Sequence, residues 1–140
     1  MKKIILFMTF AITVGSVIAQ QKTAPPSKYD VVVVFGSMAI GPASPDFLKT
    51  FLKSFTKKCK ITIPAYLAAG CGREGEFNIL LSTVKLKSST KLKFLNDLKL
   101  LVAKEEKKNK LKNESSGNIS IEYNKNAEDF SFCRDGIMKW

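Results

Sequence analysis

Apolar and polar residues alternate in blocks along the chain, and the blocks predict four strands and two helices. Residues 31–35 form a continuous β-branched and aromatic run, typical of a strand buried on both faces, and residues 77–84 are similar. Residues 61–69 contain Pro64, which cannot donate a hydrogen bond within a sheet. Residues 119–123 alternate apolar with polar side chains. We therefore expect the first and third strands at the centre of a sheet and the second and fourth at its edges.

Helical spacing of apolar residues predicts one helix after the first strand and another after the third. The first helix follows Ser44, whose hydroxyl can accept a hydrogen bond from a free backbone N–H, with Pro45 at the first helical position. Its apolar stripe comprises Phe47, Leu48, Phe51, Leu52 and Phe55. The second helix is predicted from Ser88 to about Lys110. Its expected buried stripe comprises Leu92, Leu95, Leu98, Leu101 and Val102.

The order of elements, β-α-β-β-α-β, resembles the ferredoxin-like or split β-α-β arrangement of the α+β class. Right-handed crossovers then place two helices on one face of a four-stranded antiparallel sheet. The likeness is to a fold and implies no function, because one fold serves many activities.

Four regions with different compositions divide the chain. Residues 1–19 carry two lysines, an apolar segment and small residues, the order of a secretory signal peptide. Residues 20–28 are polar and contain prolines, which predicts a disordered tether. A single domain is expected over 29–123, followed by an apolar tail, 124–140, that packs on it. The protein is therefore predicted to be secreted or periplasmic, with no membrane span after signal cleavage.

The predicted mature chain is strongly basic. The full sequence holds 23 lysines and arginines against 12 acidic residues, and removal of Lys2 and Lys3 leaves 21 − 12, a net charge of +9. Such a charge favours an anionic polymer or an acidic protein as partner, although the lysines can also simply solvate helix faces. Specific nucleic-acid binding is not expected, because Phe35 and Phe77 are the only aromatic residues on the two central strands.

Two glycine-bearing loops are predicted to meet at one end of the sheet. The loop after the first strand supplies Gly36, Ser37, Gly41 and Ser44, and the hairpin between the second and third strands supplies Cys71 and Arg73. Together with a helix N-terminus, these six residues predict a site for an anion or another polar ligand. The alternative is that the glycines only allow tight turns and that Arg73 pairs with a neighbouring glutamate.

Few catalytic mechanisms fit this composition. The sequence contains no histidine, which removes Ser-His and Cys-His catalysis and histidine metal ligation. The remaining catalytic alternative is a thiol enzyme or redox protein in which Arg73 and a helix dipole lower the pKa of Cys71. Glu74 and Glu76 offer an acid and a base for a hydrolase, but they lie two residues apart in a flexible tip with no evident substrate cleft. Residues 70–75 match the glycine spacing of a dinucleotide loop, but the strand expected after them replaces the required helix. No cofactor or metal is therefore expected.

Three cysteines leave one thiol unpaired outside the cytoplasm. We predict a disulfide between Cys59 and Cys133 in preference to one between Cys71 and Cys133, so that Cys71 stays free. With both helices on one face, the opposite face of the sheet needs a cover. Either the apolar tail covers it or a second copy does, as a homodimer. The sequence thus favours an exported, non-enzymatic binding or interaction module for an anionic or peptide partner.

Overall fold

The computed structural model of the chain describes residues 25–112 and 117–140. The predicted signal peptide and the predicted tether up to residue 24 lie outside this part of the chain. In chain order the elements are β1 (Lys28–Phe35), α1 (Asp46–Cys59), β2 (Ala65–Ala69), β3 (Phe77–Leu81), α2 (Ser88–Lys112), β4 (Ile119–Asn126), a 3-10 turn (Ala127–Phe130) and β5 (Ile137–Lys139).

The strands form one antiparallel sheet in the order β4-β1-β3-β2-β5. The predicted α+β class, with two helices and an antiparallel sheet, is confirmed. The predicted number of four strands is wrong, because Ile137–Lys139 pair with Tyr66–Ala68 as a fifth strand. Consequently β2 is not an edge strand. Pro64 is accommodated because β2 begins one residue after it, at Ala65.

The main core lies between the sheet and the two helices. Phe35 and Phe77 stack across the central strands with ring centroids 4.5 Å apart. Phe55 of α1 meets Phe94 of α2 edge to face at 4.9 Å. Aromatic pairs of this kind stabilise beyond their buried area, so the helices and the central strands form one packed unit.

The buried stripe of α2 differs from the one that leucines alone predict. Phe94, Leu98 and Val102, spaced four residues apart, face the core, whereas Leu92 is 62% exposed. Phe94 is therefore the largest side chain that this long, charged helix buries in the core. The other helix, α1, begins at Asp46, one residue later than predicted. The backbone N–H of Asp46 donates to the Ser44 hydroxyl, with an N···O distance of 3.3 Å.

The face of the sheet away from the helices is covered by residues 127–137 of the same chain. Val32 and Leu80 on this face have no exposed surface, and Phe130 and Cys133 pack against them. The second molecule that the sequence left as an alternative is not required to bury these side chains.

Candidate functional site

Two loops that are far apart in the sequence meet at one end of the sheet. The Ser37 hydroxyl donates to Oε2 of Glu74 at 2.8 Å, across 37 residues of sequence. The backbone N–H of Gly36 donates to the carbonyl of Asn118 at 2.9 Å, which brings the β4 entry to the same place. The expected meeting of the first loop and the hairpin is therefore present in the structure.

Two further residues of the proposed site follow in the first loop. Gly41 stays at this end, because its carbonyl oxygen and that of Gly36 both approach Gly117. Ser44 lies just before α1, where its hydroxyl donates to the Asp46 carboxylate at 2.8 Å. Glu76 accepts the backbone N–H of Glu74 at 2.9 Å. The loop end thus carries two carboxylates, which accept hydrogen bonds from Ser37 and from the backbone of Glu74, beside the guanidinium group of Arg73 in the same hairpin.

The disulfide of the structure joins Cys71 to Cys133. The predicted pairing of Cys59 with Cys133 is wrong, and Cys59 is the free cysteine. The tail crosses the far face of the sheet towards the hairpin, where Arg134 donates its N–H to the carbonyl of Gly70 at 3.1 Å. Cys71 therefore has no free thiol in the structure, whereas the catalytic alternative with Arg73, Glu74 and Glu76 requires a thiolate.

The disulfide brings both arginines of the chain to one surface. Arg73 and Arg134, the only arginines in the sequence, line one open cavity of about 470 Å³. The other lining residues are Gly70, Cys71, Gly72 and Phe132. We call these six residues the arginine surface. Phe132 is 65% exposed there, although it is a large aromatic side chain.

Within residues 25–112 and 117–140, neither arginine forms an ion pair with a carboxylate. A guanidinium group presents its N–H donors in a planar fork that matches a carboxylate or a phosphate. Two of them beside an exposed aromatic ring form a surface with unused donors and an apolar contact. Two carboxylates oppose this charge from close by, since that of Glu76 packs against Gly72 and that of Asp135 faces Gly70.

The sequence pattern predicts Cys71 and Arg73 as site residues but not Phe132 or Arg134. A signal for them exists in the spacing. Each arginine lies within two residues of a cysteine, as Cys71-Gly72-Arg73 and as Cys133-Arg134. Once the correct cysteines are paired, the two arginines must be neighbours. The wrong disulfide concealed this relationship.

The shifted titratable groups lie elsewhere and belong to the framework. Burial alone would raise the pKa of the Asp30 carboxyl, but hydrogen bonds from the Lys91 side chain and the Thr83 backbone outweigh it and hold the pKa below its usual value. The pKa of Tyr29 is raised to about 12, mainly by burial and to a smaller extent by the neighbouring Tyr66. Neither group faces the arginine surface.

In the part of the chain that the structure describes, no cluster of three or more acidic residues or cysteines could hold a metal ion. Neither α1 nor α2 combines the length and the apolar character needed to cross a lipid bilayer. No protein-family model matches the chain, and no curated protein or solved structure is significantly similar to it. The functional hypothesis therefore depends on geometry and charge alone.

Proposed function

We propose that the protein is an exported, non-enzymatic binding module that recognises an acidic peptide segment of a partner protein through the arginine surface. The observation that carries this proposal is the convergence of Arg73 and Arg134 beside the exposed ring of Phe132. Arginine and aromatic residues are enriched in protein interfaces, where a few such side chains supply most of the binding energy.

The rest of the chain supports an acidic partner. The expected net charge of +9 would attract a negatively charged segment over a long distance and raise its association rate. The arginines would then form charge-assisted hydrogen bonds with its carboxylates, and Phe132 would contact an apolar side chain between them. Lysines spread over the helices provide attraction but no comparable fixed geometry.

Fluorescence anisotropy with a fluorescein-labelled peptide, Glu-Glu-Leu-Leu-Glu-Glu, tests this proposal. We expect saturable binding that weakens with added salt. We expect Arg73→Gln with Arg134→Gln to weaken the affinity at least about tenfold, which corresponds to about 1.4 kcal/mol. Phe132→Ala should also weaken it, and Asp135→Asn should strengthen it by removing one opposing carboxylate.

The matched control is Lys104→Gln with Lys107→Gln, which also removes two positive charges, but from exposed positions on α2. We expect this control to weaken binding less than about twofold, because screening limits the effect of distant surface charges. Equal losses in both double variants would show that binding depends on net charge alone and would refute the arginine surface as the site.

We further propose that residues 1–19 are removed on export, leaving Gln20 as the first residue. The disulfide supports this proposal, since disulfides persist mainly in oxidising compartments. Mass spectrometry of the protein from a secreting culture tests it. Retention of the full N-terminus on a protein found inside the cell would contradict it.

We also propose that β1 to β4 with the two helices form a ferredoxin-like unit to which β5 is added.

A further inference from the structure

A second concave surface lies on the helix side of the molecule and shares no residue with the arginine surface. It runs between α1 and the start of β2 and has a volume of about 600 Å³. Its floor is mainly apolar, from Leu52, Ile63, Pro64, Ala65 and Trp140, and two threonines, Thr56 and Thr62, also line it. Small-molecule sites have this character and occupy roughly 300–1,000 Å³. We call it the lysine groove, for the side chains at its rim.

Three lysines of α1 lie along one side of this apolar floor. Lys49, Lys53 and Lys57 follow one another at four-residue intervals on α1, so they form a single row about 12 Å long at 1.5 Å per residue. Lys139 of β5 also lines the groove, but it pairs with Tyr66, so its side chain belongs to the face of the sheet away from α1. The positive charge of the groove therefore comes from the α1 row along one side of the floor.

These charges are largely uncompensated. Lys49 has a carboxylate, that of Asp46, at 3.9 Å, and its Nζ lies 5.4 Å from the centroid of the Trp140 ring. Among the described residues, Lys53, Lys57 and Lys139 form no ion pair. A positive rim along an apolar floor complements a molecule that has an apolar part and a negative charge.

We propose that the lysine groove binds a single-chain anionic amphiphile of the fatty-acid class. The chain lies on the apolar floor against Trp140, and the carboxylate lies at the α1 lysine row. Burial of the methylene groups of the chain favours binding, and the ammonium groups supply the charge preference. This inference does not depend on the proposed peptide binding, because the two surfaces have no residue in common.

The shape of the groove favours this occupant over other anionic partners. A bilayer surface is flat on this scale and would leave a concave floor unfilled. A polyanion without an apolar part would leave the floor in contact with water and gain nothing from Trp140. An amphiphile satisfies both the floor and the rim with one molecule.

Trp140 makes a direct experiment possible, because it is the only tryptophan in the sequence. The full chain, with no residues added after Trp140, is titrated with dodecanoate below its micelle-forming concentration while tryptophan emission is recorded. We expect a saturable blue shift. The contact-quenching analogue 12-bromododecanoate should reduce the emission over the same concentration range.

Three comparison ligands separate the contributions of chain and charge. Dodecanol has the chain without the charge, acetate has the charge without the chain, and dodecyltrimethylammonium reverses the charge. We expect each to bind at least about tenfold more weakly than dodecanoate, a difference of about 1.4 kcal/mol. Equal binding of dodecanol would refute the role of the lysines, and absence of any dodecanoate effect would refute the site.

Variants locate the bound anion. Lys53→Gln with Lys57→Gln should weaken dodecanoate binding at least about fivefold. Lys104→Gln with Lys107→Gln removes equal charge from α2 outside the groove and should leave the affinity unchanged within about twofold. Arg73→Gln with Arg134→Gln should also leave it unchanged. Equal weakening by all three double variants would overturn the proposal, as would a Trp140 response to anionic vesicles or to the acidic peptide but not to monomeric dodecanoate.

Discussion

The hydroxyl of Ser37 donates a hydrogen bond to the carboxylate of Glu74 at 2.8 Å, which joins the loop after β1 to the tip of the β2–β3 hairpin. This contact follows from the strand order, because β1 and β3 are adjacent and antiparallel. The end of β1 and the start of β3 therefore lie side by side. The shared loop end is therefore a consequence of topology.

The disulfide between Cys71 and Cys133 should be a principal support of the fold. It closes a sequence separation of 62 residues, and cross-links of this kind typically contribute about 2–4 kcal/mol. We expect Cys71→Ser with Cys133→Ser to lower the free energy of unfolding by this amount in urea denaturation. Cys59→Ser should remain close to wild type. Peptide mapping that found Cys59 in a disulfide would contradict the assignment.

The Asp30 carboxylate links three elements, since it accepts from Lys91 and from the backbone of Thr83, each at 2.7 Å. Because its pKa is lowered in the folded state, its stabilising effect is present above the unfolded pKa of about 3.9 and is lost as the pH falls through the lower folded pKa. Asp30→Asn should therefore cost about 1–2 kcal/mol at pH 7.

The difference between Asp30→Asn and wild type should shrink as the pH falls below about 4. The control is Asp97→Asn, which removes a carboxylate from a more exposed i,i+4 pair with Lys93 on α2 and should cost at most about 0.5 kcal/mol. Stability curves whose separation stays constant down to pH 2 would contradict this account of Asp30.

Gly117 is required by close backbone packing. A Cβ atom at this position would clash with the carbonyl oxygen of Gly36, which is backbone and cannot rotate away. We expect Gly117→Ala to lower the free energy of unfolding by about 1–3 kcal/mol. At Gly36 an added Cβ would meet the side chain of Asn118 instead. Gly36→Ala should therefore be milder, and a larger loss for Gly36→Ala would refute this comparison.

The corrected face of α2 can be tested with two alanine substitutions. Phe94 has no exposed surface and contacts Phe51 and Phe55, so Phe94→Ala should cost about 3–5 kcal/mol. Leu92 is 62% exposed, and Leu92→Ala should change stability by less than about 0.5 kcal/mol. Thermal denaturation of both variants gives the comparison. A greater loss for Leu92→Ala would restore the stripe predicted from leucines.

The pattern of apolar residues was sufficient to predict the sheet layer and the helix layer, because its period shows which side of each element is buried. The continuous run 31–35 became a central strand, and the alternating segment from residue 119 became an edge strand. The stripe of α2 was harder to predict, since its leucines occur on several sides. Only the position of the sheet selects which side is buried, and it selects Phe94.

The functional surfaces depended on pairings that no local pattern reports. Cys59 and Cys71 are equivalent partners for Cys133 as far as sequence shows, and the choice between them decides whether Arg134 lies beside Arg73. The lysine groove likewise needs β5, a three-residue strand too short to be recognised by its period. Without it, Lys139 and Trp140 have no assigned position.

Local interactions and long-range contacts therefore determined different features of this protein. Local spacing of apolar residues, glycines and proline determined by itself that the chain builds helices on one side of an antiparallel sheet, because burial repeats with the period of each element. Long-range contacts alone decided which cysteines join, how the tail covers the far face, and where the positive charges converge. Those choices depend on the three-dimensional distance between segments, which the order of residues along the chain does not specify.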